Sequence, residues 1–295
     1  MTYRCVDQLQ KEAGGVAPIC ALLDVSRSGY YASRHRQKTP KPVCPVAIRV
    51  AATFAASGRS YGSRRVQAAL KHQGMTVGRQ RVRTIMRRDG LRPLWRRSYV
   101  RTTDSRHDLP VAPNGLQRQF DPVRANTAWV ADITYIRTRT GWVYLAVVMD
   151  LFSRKIVGWA MASAMPAELV CAALQMAIGQ RQPAPGLMVH TDRGSQYASE
   201  RYRSLLAQHG IEASMSRKAN CWDNSVMERF FLSLKMERVW QRDYANAHEA
   251  QKDIVDYIVG FYNSTRLHST LGYRSPNVYE KTMTAKQPIT LSEKT

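Results

Sequence analysis

The stretch AWVADITYIRTRTGWVYLAVVMDLFSR, Ala128 to Arg154, decides how the chain is read. Its β-branched and aromatic residues fall into two runs, AWVADITYIRT and GWVYLAVVMDLFSR, joined by a turn at Arg139 to Gly141. A third run, KIVGWAMA, begins at Lys155. Consecutive strands with connections this short pair antiparallel. One residue is out of place. Asp132 sits in the middle of the first strand among apolar neighbours, where a carboxylate is costly without a partner.

Downstream the rhythm changes. PAELVCAALQMAIGQR reads as a helix opened by Pro166, GLMVHTD as a short buried strand, and SERYRSLLAQHG as a helix stopped by Gly210. IEASMS is another strand, and CWDNSVMERFFLSLKMERV a further helix. Three antiparallel strands followed by alternating helices and strands predict a mixed sheet covered by helices, an α/β fold.

Three acids stand out on this scheme. Asp132 lies inside the first strand, Asp192 closes the strand that begins at Leu187, and Glu228 lies in the helix after the last strand. Two of them have a local reading: Asp192 as a turn former ahead of Gly194, and Glu228 as the far end of a capping box with Ser225. Asp132 has none. Carboxylates from two neighbouring strands and an adjacent helix can converge to hold two Mg²⁺ ions, which take oxygen ligands. Such ions, about 4 Å apart, activate an attacking oxygen and stabilise the leaving oxygen at a phosphodiester.

The charge points to the same class of substrate. The 295 residues include 44 Lys/Arg against 22 Asp/Glu, a formal net charge of +22, and a field of that sign concentrates a polyanion. The excess is uneven, with 24 basic against 7 acidic residues in Met1–Ala125. Arg59 to Arg101 holds 13 basic residues and one acid, Asp89. Within it, SYGSRRVQAALKHQG predicts a helix with Val66, Ala69 and Leu70 on one face, and TVGRQRVRTIMRRDGL a second with Val82, Ile85 and Met86 inward. Gly74 and Gly90 are their stops. The pair reads as a helix-turn-helix or as a generic helical hairpin. In the first case Arg79, Arg81 and Arg83, with Arg64 and Arg65 on the preceding helix, meet DNA. APICALLDVSRSGYYASRHR upstream has a similar rhythm with less charge.

The organisation expected from these features is an N-terminal helical segment over 1–45, a basic helix-turn-helix domain over 46–100, and a linker over 101–122. A catalytic core over 123–283 and a tail over 284–295 complete it. Five scattered cysteines without CxxC spacing suggest neither a disulfide framework nor a zinc site. No apolar run reaches the roughly 20 residues of a membrane span, and the opening MTYRCVDQLQKEAGG lacks a secretory signal's apolar centre. A soluble intracellular protein without a membrane partner is expected.

Asp132 in WVADITYI, Asp192 in HTDRGSQY and Glu228 in CWDNSVMERFFLSLK resemble the three acids of the DDE transposases and retroviral integrases, with 35 residues between the second aspartate and the glutamate. VMDLFSRKIVGW, SRKANCWDNSVMERFF and NSTRLHSTLGYRSP are similar to the downstream-frame product of bacterial insertion sequences of family three. The resemblance spans nearly the whole chain. It implies an RNase H-like mixed-sheet catalytic core preceded by an all-α helix-turn-helix region. It further implies Mg²⁺-dependent cleavage and strand transfer at the ends of an insertion sequence, with Mn²⁺ able to substitute and a joined-end circle as intermediate. The implied partners are double-stranded DNA (terminal inverted repeats and target), an upstream-frame protein as separate chain or fusion, and further copies of the chain on DNA. The implied location is the bacterial cytoplasm, on the nucleoid.

The resemblance also gives Lys235, two helical turns beyond Glu228 and on its face, a DNA contact near the active site. Asn224 shares that face and orients substrate or a metal-bound water, or else caps the helix. Asp150 is expected to close its strand, and His190 to be a packed histidine. On the residues alone, a non-catalytic DNA-binding protein and a nuclease that cuts without joining stay open as rivals. The presence of all three acids speaks against the first.

Overall fold

The computed structural model describes residues 2–38, 44–94, 109–217 and 221–285. The ends of the expected linker (101–108) and tail (286–295), and most of the Pro-rich connector before Pro45, lie outside the described residues. Packing divides the chain into two compact units, Met1–Arg49 and Val50–Thr295. In the first, helices α1 (Thr2–Ala13), α2 (Val16–Leu22) and α3 (Arg27–Lys38) enclose Val6, Ile19, Cys20 and Tyr30. The Tyr30 hydroxyl, the polar end of that core, donates to Asp7 Oδ1 at 2.7 Å.

Helix α4 (Pro45–Ala56) leads into the second unit, where α5 (Ser63–His72) and α6 (Arg79–Arg88) form the basic pair. Val66, Leu70, Val82, Ile85 and Met86 are buried, as the periodicity requires. Gly74 and Gly90 follow the two helices with φ of +80° and +66°, a conformation that glycine adopts without steric cost. Tyr61, just ahead of α5, accepts from the Leu267 N–H at 2.7 Å. The basic pair is thereby tied to the C-terminal part of the same unit.

The sheet contains β1 (Ala128–Thr138), β2 (Gly141–Asp150), β3 (Lys155–Ala162), β4 (Met188–Thr191) and β5 (Glu212–Met215) in the order β3-β2-β1-β4-β5. The first three are antiparallel, while β4 joins β1 in parallel and β5 joins β4 in parallel. Helices α7 (Ala167–Arg181), α8 (Ser195–Ala198) and α9 (Glu200–Gln208) fill the connections after β3 and β4. Beyond β5 come α10 (Ser225–Glu237), α11 (Ala247–Val255), a π-helical stretch over Asp256–Asn263, and α12 (Pro276–Thr284).

Strand alternation sorts the core into two layers. Trp129, Ala131, Ala146 and Val148 pack with Leu169, Leu174, Leu205 and Leu206 of α7 and α9. Val130, Ile136, Leu145 and Val147 pack on the other face with Phe230, Phe231 and Leu234 of α10 and Tyr257 and Tyr262 of the π-helical stretch. Asp132 shares the parity of Val130 and Ile136, so it belongs to the α10 face.

The described part of the segment expected as a linker lies on this unit. Leu116 is buried in the second layer, and Ser214 Oγ of β5 accepts from the Gly115 and Leu116 N–H groups at 3.0 and 3.1 Å. Asp150 closes β2 as expected. It is fully buried, accepts from the Asn126 and Phe152 N–H groups at 3.0 and 2.9 Å, and pairs with Arg181 at 3.2 Å.

Candidate active site

Register brings the first two acids together. Val130 of β1 pairs with His190 of β4, and two residues further along these parallel strands stand Asp132 and Asp192. Asp192 follows the end of β4, where its Oδ1 accepts from the Gly194 N–H at 2.9 Å. The turn-forming reading of Asp192 is therefore correct. Arg193 beside it donates from Nε to the Ser216 carbonyl at 2.7 Å, pinning the turn to the end of β5.

Helix α10 crosses the same face. Its N-cap is Asn224, so Ser225 is already helical and cannot close a capping box with Glu228. Nor does the Asn224 side chain cap the helix. Its Nδ2 donates to Asp132 Oδ2 at 3.0 Å, while Asp132 Oδ1 takes the Ile133 N–H at 2.7 Å. Asn224 Oδ1 is buried and has no hydrogen-bond partner among the described residues. Glu228, one turn on, is exposed.

The electrostatics of Asp132 record how near these groups lie. Burial pushes its carboxyl well above the usual carboxylate range; the charge of Asp192 pushes further in that direction, and Glu228 adds to it. The Ile133 N–H and the charge of Lys235 act against the rise. Lys235 is 6% exposed, with Nζ 4.8 Å from the centre of the Tyr135 ring, and its burial lowers its proton affinity. Among the described residues no three His, Cys, Asp or Glu side chains stand close enough to form a ready-made metal cage.

Asp223, which the motif reading passed over, fixes this arrangement. It is 1% exposed in the 3₁₀ turn before α10 and pairs with Arg118 at 2.9 Å and Arg217 at 3.1 Å. It also accepts from Asn114 Nδ2 at 2.9 Å and the Arg217 N–H at 3.0 Å. These bonds hold its carboxyl far below the ordinary range, Arg217 contributing most. The only signal in the sequence is its place beside Asn224. His190 is a packed histidine: fully buried, held by Ser214 and Ser216 at 2.8 and 3.1 Å, and lowered by burial to about 4.

The predicted DNA contacts divide into two groups. Arg79, Arg81 and Arg83 are exposed at the start of α6, and Arg64 is exposed on α5. Arg65 turns inward, its guanidinium 5.7 Å from the centre of the Tyr61 ring and its proton affinity lowered by burial.

A helix-turn-helix ahead of a five-stranded sheet, with acids at β1, after β4 and on α10, defines an enzyme of the DDE transposase and integrase class. Residues 122–221 and 209–276 match the integrase core domain family, and 46–99 match the HTH-like domain family. The chain is 40% identical over 265 residues to the insertion element IS600 uncharacterized 31 kDa protein of Shigella sonnei, covering 89% of this chain and 97% of that one. It is 38% identical over 286 residues to the transposase InsF for insertion sequence IS3A of Escherichia coli strain K12, covering 95% and 98%. It therefore belongs to the IS3 family of transposases, with an integrase core domain. Among solved structures it is similar to the simian T-cell lymphotropic virus intasome, at 16% identity and a TM-score of 0.47 over 76% of this chain and 72% of that one.

Proposed function

We propose that Asp132, Asp192 and Glu228 hold divalent magnesium, two ions with manganese able to substitute, and that at this site the transposase cuts DNA at the ends of its element and joins them elsewhere. The observation that carries the reading is the strand register that sets Asp132 of β1 beside Asp192 after β4, with α10 bringing Glu228 to the same face; burial and the charges of Asp192 and Glu228 push the Asp132 carboxyl up. Carboxylates held together without a compensating cation behave in this way. The donor set fits a hard cation, since all three side chains offer oxygen alone. When bound, the metal lowers the barrier to in-line displacement by activating the attacking oxygen and stabilising the leaving one.

The chain's own residues set the geometry. Asn224 fixes one oxygen of Asp132 and the Ile133 N–H the other, so the carboxylate cannot rotate freely. Asp223 anchors the turn from which Asn224 reaches. In the cutting step water attacks a terminal phosphodiester, the phosphorus–3′-oxygen bond breaks, and a 3′-hydroxyl is released. In the joining step that hydroxyl attacks another phosphodiester, a new phosphorus–oxygen bond forms, and the displaced oxygen takes up a proton. The joined-end circle is the expected product.

Arg64, Arg79, Arg81 and Arg83 supply phosphate and base contacts at the terminal repeats and Lys235 a contact near the reacting strand, while the inward Arg65 acts from the inner side of the same helix pair. The active assembly is an oligomer on DNA that includes the upstream-frame protein, acting in the bacterial cytoplasm at the nucleoid. Among the described residues no helix is long and apolar enough to cross a membrane. The test is to incubate the full chain, alone and fused to its upstream frame, with labelled DNA from the flanks of its gene and Mg²⁺. Cutting and joining that vanish in Glu228→Gln while DNA binding persists support the reading. Binding without cutting by either form overturns it, and cutting without joining leaves a nuclease.

A further inference from the structure

A cavity of about 550 Å³ opens between the hairpin end of β1–β2 and the 3₁₀ turn Val239–Gln241 that follows α10. Three of its walls are aromatic, Tyr135, Trp142 and Trp240, and Arg137, Arg139 and Arg242 stand among them. Trp142 is 46% exposed, which is unusual for so large an apolar side chain, and is held edge-on to Tyr135 with ring centres 5.2 Å apart. Arg242 pairs with Asp253 at 3.3 Å, and the other two arginines are available to an anion. Arg139 pairs with Asp243 at 2.7 Å across two side chains that are 66% and 73% exposed, a pair that a phosphate displaces at little cost. Arg137 is exposed and has no acidic partner among the described residues. The volume is that of a small-ligand site.

We propose that this cavity receives one unpaired nucleotide of the DNA undergoing reaction, its base stacked on Trp142 and Trp240 and its phosphate held by Arg137 and Arg139. Aromatic faces interleaved with cations are the chemistry of single-strand recognition. A base inside a duplex is already stacked on both faces, so only an extruded one uses such walls. Lys235 lines the cavity as well and its charge reaches Asp132, which places the cavity near the acidic site. Asp132 and Tyr135 are three residues apart on β1, about 10 Å along the strand and on opposite faces by alternation, and Lys235 of α10 reaches from one to the other at the strand's side. A nucleic-acid strand covers that distance in about three nucleotides at about 3.4 Å each. The unpaired nucleotide therefore comes from within a few positions of the reacting phosphate, on either the element end or the target. This inference rests on Asp132 marking the reacting centre.

The experiment uses the full chain and three substrates: a fully paired element end with paired target, an end mismatched beside the cut, and a paired end with mismatched target. Trp142→Ala and Trp240→Ala are expected to cut or join paired DNA about tenfold more slowly and to regain most of the rate on one mismatched substrate, which identifies the source of the nucleotide. Equal defects on all three substrates, or none, overturn the proposal. A second readout needs no chemistry. In the Glu228→Gln protein, 2-aminopurine placed at successive end or target positions is expected to change fluorescence at one position, and to lose that response when Trp142→Ala is added. If wild type cuts nothing while this response is present, the active-site reading fails and the cavity assignment stands. A response at no position overturns the assignment, as does displacement by an acidic peptide but not by single-stranded DNA.

Discussion

Arg266 clamps the helix that carries Glu228, and removing it is expected to cost far more than breaking a surface ion pair. Its Nε and Nη2 donate to the two oxygens of Glu237, both at 2.8 Å, and Nη2 also reaches Ser233 Oγ at 3.0 Å. The two side chains are 5% and 8% exposed, so water solvates neither charge. Arg266→Met leaves the Glu237 carboxylate with the Tyr257 hydroxyl, at 2.8 Å, and the more distant charge of Arg65 in place of a paired cation. One-sided removal of a buried pair costs about 3–5 kcal/mol. Adding Glu237→Gln removes the stranded charge and keeps an acceptor for Tyr257. The double variant is thus expected within about 1 kcal/mol of wild type, as replacements of both partners often are. Urea unfolding of wild type, both single variants and the double at pH 7 measures the coupling, expected at about 2 kcal/mol or more. A loss below about 1 kcal/mol in Arg266→Met, or strictly additive losses, refutes the reasoning.

Other expectations follow from single sites. His268 is 8% exposed, faces the Tyr262 ring edge-on, and is lowered to about 2 by burial, with Arg266, Arg65 and Arg154 adding to the effect. The unfolded chain therefore binds the proton first, and stability falls as pH drops below about 6.5. Between pH 7 and 5 this one group removes about 2 kcal/mol, a loss His268→Leu should abolish in urea unfolding at the two pH values. Gly158 of β3 has no room for a side chain, since an added Cβ would meet the Ala173 carbonyl and lie 2.8 Å from the Ala177 Cβ. Gly158→Ala is expected to cost about 3 kcal/mol, read as a lower thermal midpoint. Asn224→Ala removes the side-chain donor to Asp132 and should slow cutting by roughly tenfold or more, with DNA binding by gel shift unchanged.

Local pattern carried much of this structure and distance in sequence hid the rest. The three antiparallel strands and both helices of the basic pair were legible because alternation and the 3.6-residue period act within one element, and Gly74 and Gly90 mark where the helices end. Asp132 was legible as an anomaly, an acid in an apolar strand with no local partner. The adjacency of β4 to β1 that sets Asp192 beside it came from the register of two strands whose partners lie 60 residues apart. The clamp around Asp223 joins Asn114, Arg118 and Arg217, and periodicity says nothing of such a set. Asn224 offered two readings until the helix start was fixed, and only then did its side chain prove to serve Asp132. Lys235 shares a helix face with Glu228 by spacing, but its burial against Tyr135 depends on how α10 crosses β1.

The central claim, that Asp132 is a direct ligand of a catalytic cation, is tested most directly by exchanging its oxygen for sulfur. Asp132→Cys is compared with wild type in joining a pre-cut end to target DNA, in Mg²⁺ and in Mn²⁺. Magnesium binds thiolate poorly, whereas softer manganese tolerates it better. The account predicts no joining in Mg²⁺ and partial recovery in Mn²⁺. Activity retained in Mg²⁺, or the same loss in both metals, contradicts it.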